Sequence, residues 1–235
     1  MEIKNKKIVV FGGTSGIGLA TTLMLSKMNA KHIFAASRNP FKISQTYSNI
    51  ELVQIDVLDE NKLVEFFEQV GNYDILINAA TGGERAIGPF MEMNLNGYRN
   101  SFKKLWGYTN TIRLGLSKLN KNGCIVLVSG SPARKCKPGQ IALASVGGAV
   151  EAFSRSLAEE IKPIRINTVS PGIIDTPMLS LVGKEREEFY KNITKNNHIP
   201  RAGTAEEVSQ AIIFAIQNEF ITGTTIDVDG GWLTS

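Results

Sequence analysis

Ile8-Val9-Val10-Phe11-Gly12-Gly13-Thr14-Ser15-Gly16-Ile17-Gly18 is the stretch that decides the fold. Four apolar residues read as a strand buried on both faces, and they meet glycine without a linker. From Ile17 to Met28 the apolar residues Leu19, Leu23, Leu25 and Met28 then fall at helical spacing. Glycines squeezed between a strand and a helix permit a tight turn and let backbone amides approach a phosphate at the positive helix end. A plain tight turn is the alternative, but the placement between the two elements favours phosphate binding.

Outward from this loop the same alternation repeats. Short apolar runs at Ile33–Ala36, Leu52–Ile55, Ile75–Ile77, Ile125–Val128 and Ile166–Val169 read as strands, with Thr225–Val228 as the last. Helical periodicity predicts helices over 59–70, 95–119, 139–161 and 204–217, the last opened by a capping box, Thr204-Ala-Glu-Glu207. Continuous apolar strands alternating with helices imply a parallel sheet covered on both faces, and the handedness of crossovers makes it doubly wound. No repeat or linker interrupts the 235 residues, so a single α/β domain of the Rossmann type spanning 1–235 is expected.

Composition narrows the function classes. The 26 basic and 22 acidic residues give a net charge of +4, spread along the chain, so nucleic acid is not expected as a partner. Two cysteines, Cys124 and Cys136, and two distant histidines, His32 and His198, leave no metal-ligand spacing, and no metal site is expected. No apolar run has the length of a membrane span and the first residues lack a secretory apolar region, so a cytoplasmic protein without a membrane partner is expected.

The loop spacing is G-x-x-x-G-x-G rather than G-x-G-x-x-G, and it resembles that of the short-chain dehydrogenase/reductase family. The resemblance runs nearly the whole length. Asp56-Val57 looks like the family's adenine-contacting pair, and Asn78-Ala79-Ala80 resembles its Asn-Ala-Gly turn. Arg165 through Pro171-Gly172-Ile173-Ile174-Asp175-Thr176 is similar to the segment that holds the nicotinamide carboxamide. Pro200-Arg201-Ala202-Gly203 and Thr222-Gly223 through Asp229-Gly230-Gly231 match its C-terminal pattern. The resemblance implies that Gly12, Thr14, Ser15, Gly16, Ile17, Gly18, Asp56, Val57, Asn78, Ala79, Ala80, Pro171, Gly172, Ile174 and Thr176 surround a nicotinamide cofactor. At the end of the second strand Ser37-Arg38 stands where an acidic residue would bond a free ribose hydroxyl. A guanidinium there pairs with a 2′-phosphate, so NADP(H) is expected, with Thr14, Ser15 and Asn39 as helpers. A solvated loop arginine is the plain alternative.

The catalytic pattern departs from the family. Its Tyr-x-x-x-Lys pair, in which tyrosine exchanges a proton with substrate and lysine tunes it, registers on Leu143 and Gly147. The family's upstream serine registers between Ser129 and Ser131, either of which is a candidate. Its helix asparagine has two claimants, Asn94 and Lys104. Asn94 lies 16 residues after Asn78 and 49 before Leu143, while Lys104 lies 26 after and 39 before, and the family's spacing favours Lys104. Gly147-Gly148 inside a helix costs about 0.8–1 kcal/mol per glycine relative to alanine, so something should fill the space: a ribose, the Lys104 ammonium, or a closely packed neighbour. A cation lost from one helix and gained on the next reads as relocated charge, with Lys104 directed into the cleft and held protonated by cofactor and alkoxide. Tyr98 and Tyr108 sit at apolar helical positions, Trp106 and Trp232 read as core or interface aromatics, and Cys136 as an exposed bystander thiol. Segment 177–199 falls where the family keeps its mobile substrate lid. The expected function is an NADP(H)-dependent oxidoreductase acting on a small carbonyl or alcohol through an atypical site. The alternative is a catalytically degenerate NADPH-binding protein with a sensing or partner-binding role. The family also implies a homodimer or homotetramer.

Overall fold

The computed structural model describes residues 1–42, 47–81 and 85–235. Strand β1 (Lys7–Phe11) leads through the glycine turn into α1 (Gly16–Lys27), followed by β2 (His32–Ser37), β3 (Ile50–Gln54), α2 (Glu60–Val70) and β4 (Tyr73–Asn78). The second half runs α3 (Leu95–Ser101), α4 (Lys103–Gly115), β5 (Leu119–Val128), α5 (Ile141–Glu160) and β6 (Arg165–Pro171). A short pair, β7 (Ile174–Asp175) and β8 (Gly203–Thr204), brackets α6 (Gly183–Thr194), and α7 (Ala205–Gln217) and β9 (Thr225–Val228) close the chain. Seven strands form one parallel sheet in the order β3-β2-β1-β4-β5-β6-β9. The order reverses between β1 and β4, and the ligand crevice of a doubly wound sheet lies at that switch.

Adjacent residues of β1 point to opposite faces, so one strand serves two cores. Val9 and Phe11 pack with Phe66, Phe67, Tyr108, Ile112 and Val150 under α2, α4 and α5. Ile8 and Val10 pack with Leu25, Ile77, Val126, Val208 and Ile212 under α1 and α7. The expected capping box is present: Thr204 Oγ1 accepts from the Glu207 amide at 3.2 Å, and Glu207 Oε2 accepts from the Thr204 amide at 2.8 Å.

Two boundaries differ from the sequence reading. The continuous helix expected over 95–119 is two helices that meet at Phe102. Asn94 caps the first, accepting from the Asn96 and Gly97 amides, which fixes its start. Strand β5 begins six residues before Ile125, because Leu119 pairs with Tyr73 ahead of a register irregularity. Within 177–199 the chain forms α6, packed near the mouth of the site through Phe189, Tyr190 and Ile193. Among the described residues no helix is long and apolar enough to cross a membrane, and no cluster of metal-ligating residues occurs.

Candidate active site

A cleft of about 340 Å³ opens over the C-terminal ends of β1, β2, β4 and β6. Its floor is backbone. Gly12 has φ +77°, and a Cβ there would stand 2.7 Å from the Ala80 amide nitrogen; one on Gly18 would stand 2.1 Å from the Gly12 carbonyl oxygen. Only hydrogen fits at both, which is how the turn brings its amides to the start of α1. Ser15, at the helix start, makes no side-chain cap, leaving the first-turn amides in the arrangement that receives a phosphate. Thr14 Oγ1 donates to Ser37 Oγ at 2.7 Å and so ties the glycine turn to the end of β2. Arg38 lines the same cleft with its side chain exposed.

Of the residues expected around a cofactor, Gly12, Thr14, Ser15, Gly16, Ile17, Gly18, Ser37, Arg38, Val57, Ala79, Ala80, Pro171 and Thr176 line this cleft. Five do not. Asn39 is exposed beyond it, where the chain turns toward Pro40. Asp56 lies outside that lining, its Oδ1 accepting from the Leu58 amide at 3.0 Å. Asn78 is fully buried beneath the floor and donates to Thr111 Oγ1 at 3.0 Å, pinning β4 to α4. Gly172 and Ile174 face a second cavity instead.

That second cavity, of about 420 Å³, adjoins the first across Lys104, Ser129, Arg85 and Thr176. Leu143, Val146 and Gly147 of α5, the α6 residues Phe189 and Tyr190, and Trp232 form much of its wall. Lys104 enters from the first turn of α4 and donates from Nζ to the Ser129 carbonyl at 3.1 Å, with the ammonium 5.7 Å from the Tyr108 ring centre. Burial, and secondarily the neighbouring Arg85 guanidinium, push its pKa down to about 7. The chain's own groups therefore do not hold this lysine protonated.

The serines divide. Ser129 Oγ points away from Lys104, donating toward the Gly147 carbonyl at 3.3 Å and Glu151 Oε1 at 3.2 Å. Ser131 Oγ is 1 % exposed, has no partner among the described residues and belongs to a residue lining the second cavity. The space beside Gly147 is taken by neither lysine nor ribose: a Cβ would meet Ala133 Cβ at 2.9 Å and the Gly130 carbonyl at 3.4 Å. Close packing against the turn Ser131–Ala133 explains this glycine.

Glu151, one turn beyond Gly147, is a residue the sequence reading missed. It is 4 % exposed, and its Oε2 lies 3.4 Å from Arg134 Nε, while Arg134 also pairs with Asp227 on β9. The sequence signal was available, since this acid stands between Ala149-Val150 and Ala152-Phe153 in the apolar middle of the helix. The tyrosines are engaged elsewhere. Tyr108 is buried with its hydroxyl donating to the Val128 carbonyl at 3.0 Å, and Tyr98 donates to Ser145 at 3.0 Å. Trp106 is exposed, not core, whereas Trp232 is buried; Cys136 is exposed.

Residues 12–233 match the family model described as enoyl-(acyl carrier protein) reductase. The chain belongs to the short-chain dehydrogenase/reductase family. It is 30 % identical to carbonyl reductase family member 4 of Xenopus tropicalis over 96 % of this chain and 97 % of the relative. It is 31 % identical to the 3-oxoacyl-[acyl-carrier-protein] reductase of Rattus norvegicus over 97 % and 98 %. Among solved structures, a small-chain dehydrogenase in complex with NADPH superposes with TM-score 0.83 at 29 % identity, covering 99 % of this chain and all of the other. The protein ElxO with NADP bound superposes with TM-score 0.87 at 28 % identity, over 98 % and 100 %. The fold and family of this short-chain dehydrogenase/reductase are thus those of an oxidoreductase, and the glycine turn and Lys104 line adjoining cavities.

Proposed function

We propose that this protein is an NADP(H)-dependent oxidoreductase that acts on a small carbonyl or alcohol with Lys104 in the place of the absent tyrosine–lysine pair. The observation that carries this reading is that Lys104 lines both cavities, with its Nζ donating to the Ser129 carbonyl between them. The cleft fits the cofactor: glycine amides and the start of α1 would receive the pyrophosphate, and Ser37 and Arg38 the 2′-phosphate. The solved relatives that carry NADPH and NADP support that choice. Held there, a reduced nicotinamide would supply hydride chemistry at the substrate carbon.

Lys104 would then orient the substrate oxygen and stabilise its developing negative charge. With a pKa near neutrality, its ammonium is also suited to pass a proton from Nζ to that oxygen and recover one from water. The negative charges of the dinucleotide would raise that pKa again and keep the donor loaded. Ser131, with its unpartnered hydroxyl, would be the second group on the substrate, in preference to Ser129, whose hydroxyl is committed to α5. Lys104→Met should lower NADPH-dependent carbonyl reduction by about 10²- to 10³-fold, the cost of losing one oxyanion donor. In the wild type, kcat/KM for carbonyl reduction by the NADPH-loaded enzyme should fall as pH rises, with the fall setting in above about pH 7 because the bound dinucleotide raises the Lys104 pKa. Steady-state rates and fluorescence titration of NADPH check both; equal rates in the variant would overturn the reading. A second reading, an NADPH-binding protein without turnover, is favoured by the apolar Leu143 and by the turned-away Ser129. It gains if a panel of ketones and aldehydes gives no NADPH oxidation.

The protein is also proposed to assemble as a homodimer or homotetramer. Exposed Leu95 and Trp106 on α3 and α4, and Phe214 on α7 with Phe220 just beyond it, leave apolar surface on two sides. Light scattering at micromolar concentration should give two or four times 25.7 kDa, and a monomer would contradict it.

A further inference from the structure

We propose that the second cavity selects carbonyl compounds that combine an apolar body with a terminal carboxylate held by Lys137. This rests on the oxidoreductase reading above and adds the substrate class. At about 420 Å³ the cavity is in the range of small-molecule sites. Leu143, Val146, Met178, Phe189 and Ile193 supply a wall suited to an aliphatic or aromatic body. The charged residues along it are Arg85, Lys104 and Lys137, and no carboxylate lines it among the described residues. A concave, largely apolar site carrying charge of one sign concentrates the opposite charge.

The three cations are not equivalent. Arg85 and Lys104 also line the cofactor cleft, so dinucleotide phosphates compete for them. Lys137 lines only the substrate side. Its ammonium lies 4.5 Å from the Trp232 ring centre and makes no ion pair among the described residues. Trp232 is fixed in turn, with its indole Nε1 donating to the Lys135 carbonyl at 3.1 Å and its own carbonyl accepting from Lys135 Nζ at 2.9 Å. The indole therefore holds a cation at the cavity edge by cation–π attraction, with its remaining donors open to a ligand. The buried, unpartnered hydroxyl of Ser131 provides a separate polar point for the carbonyl oxygen.

The test uses the NADP⁺-loaded protein with 3-benzoylpropanoate, 4-benzoylbutanoate and 5-benzoylpentanoate, each against its methyl ester, by isothermal titration. At least one acid should bind about tenfold more tightly than its ester, a difference of 1.4 kcal/mol. Lys137→Gln should bring that acid to the ester's affinity while the affinity for NADP⁺ is unchanged, since Lys137 does not line the glycine cleft. Equal binding of every acid and ester, a preference that survives Lys137→Gln, or no acid binding at millimolar concentration would each overturn the proposal. NADPH oxidation on the same compounds separates the two claims. Acid-selective binding without turnover sustains this inference and defeats the oxidoreductase reading. Turnover with esters preferred does the reverse.

Discussion

The two cavities that meet at Lys104 are built by different means. The glycine cleft is shaped by backbone: Gly12 and Gly18 admit no side chain, and the first turn of α1 offers its amides. The neighbouring cavity is shaped by side chains from α4, α5, α6 and the C-terminal Trp232, each placed by contacts distant in sequence. A backbone site tolerates drift in most of its lining residues, because what binds the phosphate is the path of the chain. A side-chain site is rewritten by single replacements, and on the reading proposed above its chemistry falls to Lys104 and Ser131. The fold persists across that boundary because Val9 and Phe11, which support the one, also pack under the helices that wall the other.

Arg38 tests the backbone side of this contrast, and its expected effect on cofactor affinity is the largest. Arg38→Ala removes charge-assisted bonds of about 1.5–3 kcal/mol to the 2′-phosphate, roughly a ten- to hundredfold loss for NADPH. Affinity for NADH should stay unchanged, since the amides and the helix start remain. Fluorescence titration of both cofactors measures the ratio; unchanged selectivity would show that the discrimination lies elsewhere in the cleft.

On the side-chain half, Glu151 is the sharper probe. Glu151→Ala removes a buried carboxylate that holds both Ser129 and Arg134, and so links α5, the turn after β5 and, through Asp227, β9. Breaking a fully buried ion pair costs about 3–5 kcal/mol, but Arg134 is partly exposed and keeps Asp227. We expect about 2 kcal/mol, seen as a fall in Tm of roughly 4–8 °C for a chain of this size. NADPH affinity should change little if the two cavities are as separable as their construction implies.

That division also governs what the sequence conveyed. The alternation of β1, α1 and β2, the glycine spacing and the capping box at Thr204 are local patterns, and each appears where it was expected. Lys104 was legible through its distances from Asn78 and Leu143, because spacing along regular elements is itself geometry. The rotation of Ser129 toward Glu151 was not, nor was the packing of Ala133 against Gly147. Both depend on how the turn after β5 folds back on α5, which no periodicity in either segment encodes. Asp56 and Asn78, which resemble the family's motif residues, also hold the local structure: Asp56 Oδ1 accepts from the Leu58 amide and Asn78 donates to Thr111 on α4.

The smallest expected effect is the stability signature of Lys104 itself. A lysine whose folded pKa lies near 7, below its ordinary 10.5, makes the cationic native state costly. The cost is fully present below about pH 7, shrinks as pH rises from 7 toward 10.5, and is gone once the unfolded lysine also loses its proton. Lys104→Met removes it, and also removes the bond to the Ser129 carbonyl, a loss that is constant wherever the lysine keeps a donor. The Tm of the variant minus that of the wild type should therefore be most positive near pH 6 and decline steadily toward pH 9. Because the lysine is half-buried, the decline should be modest, roughly 2–4 °C. Adding NADPH should flatten it, since the cofactor's phosphates favour the cation and draw the folded pKa back toward its ordinary value. A solvated helix lysine predicts a flat difference with or without NADPH, and that result would place the charge outside the site that the two cavities share.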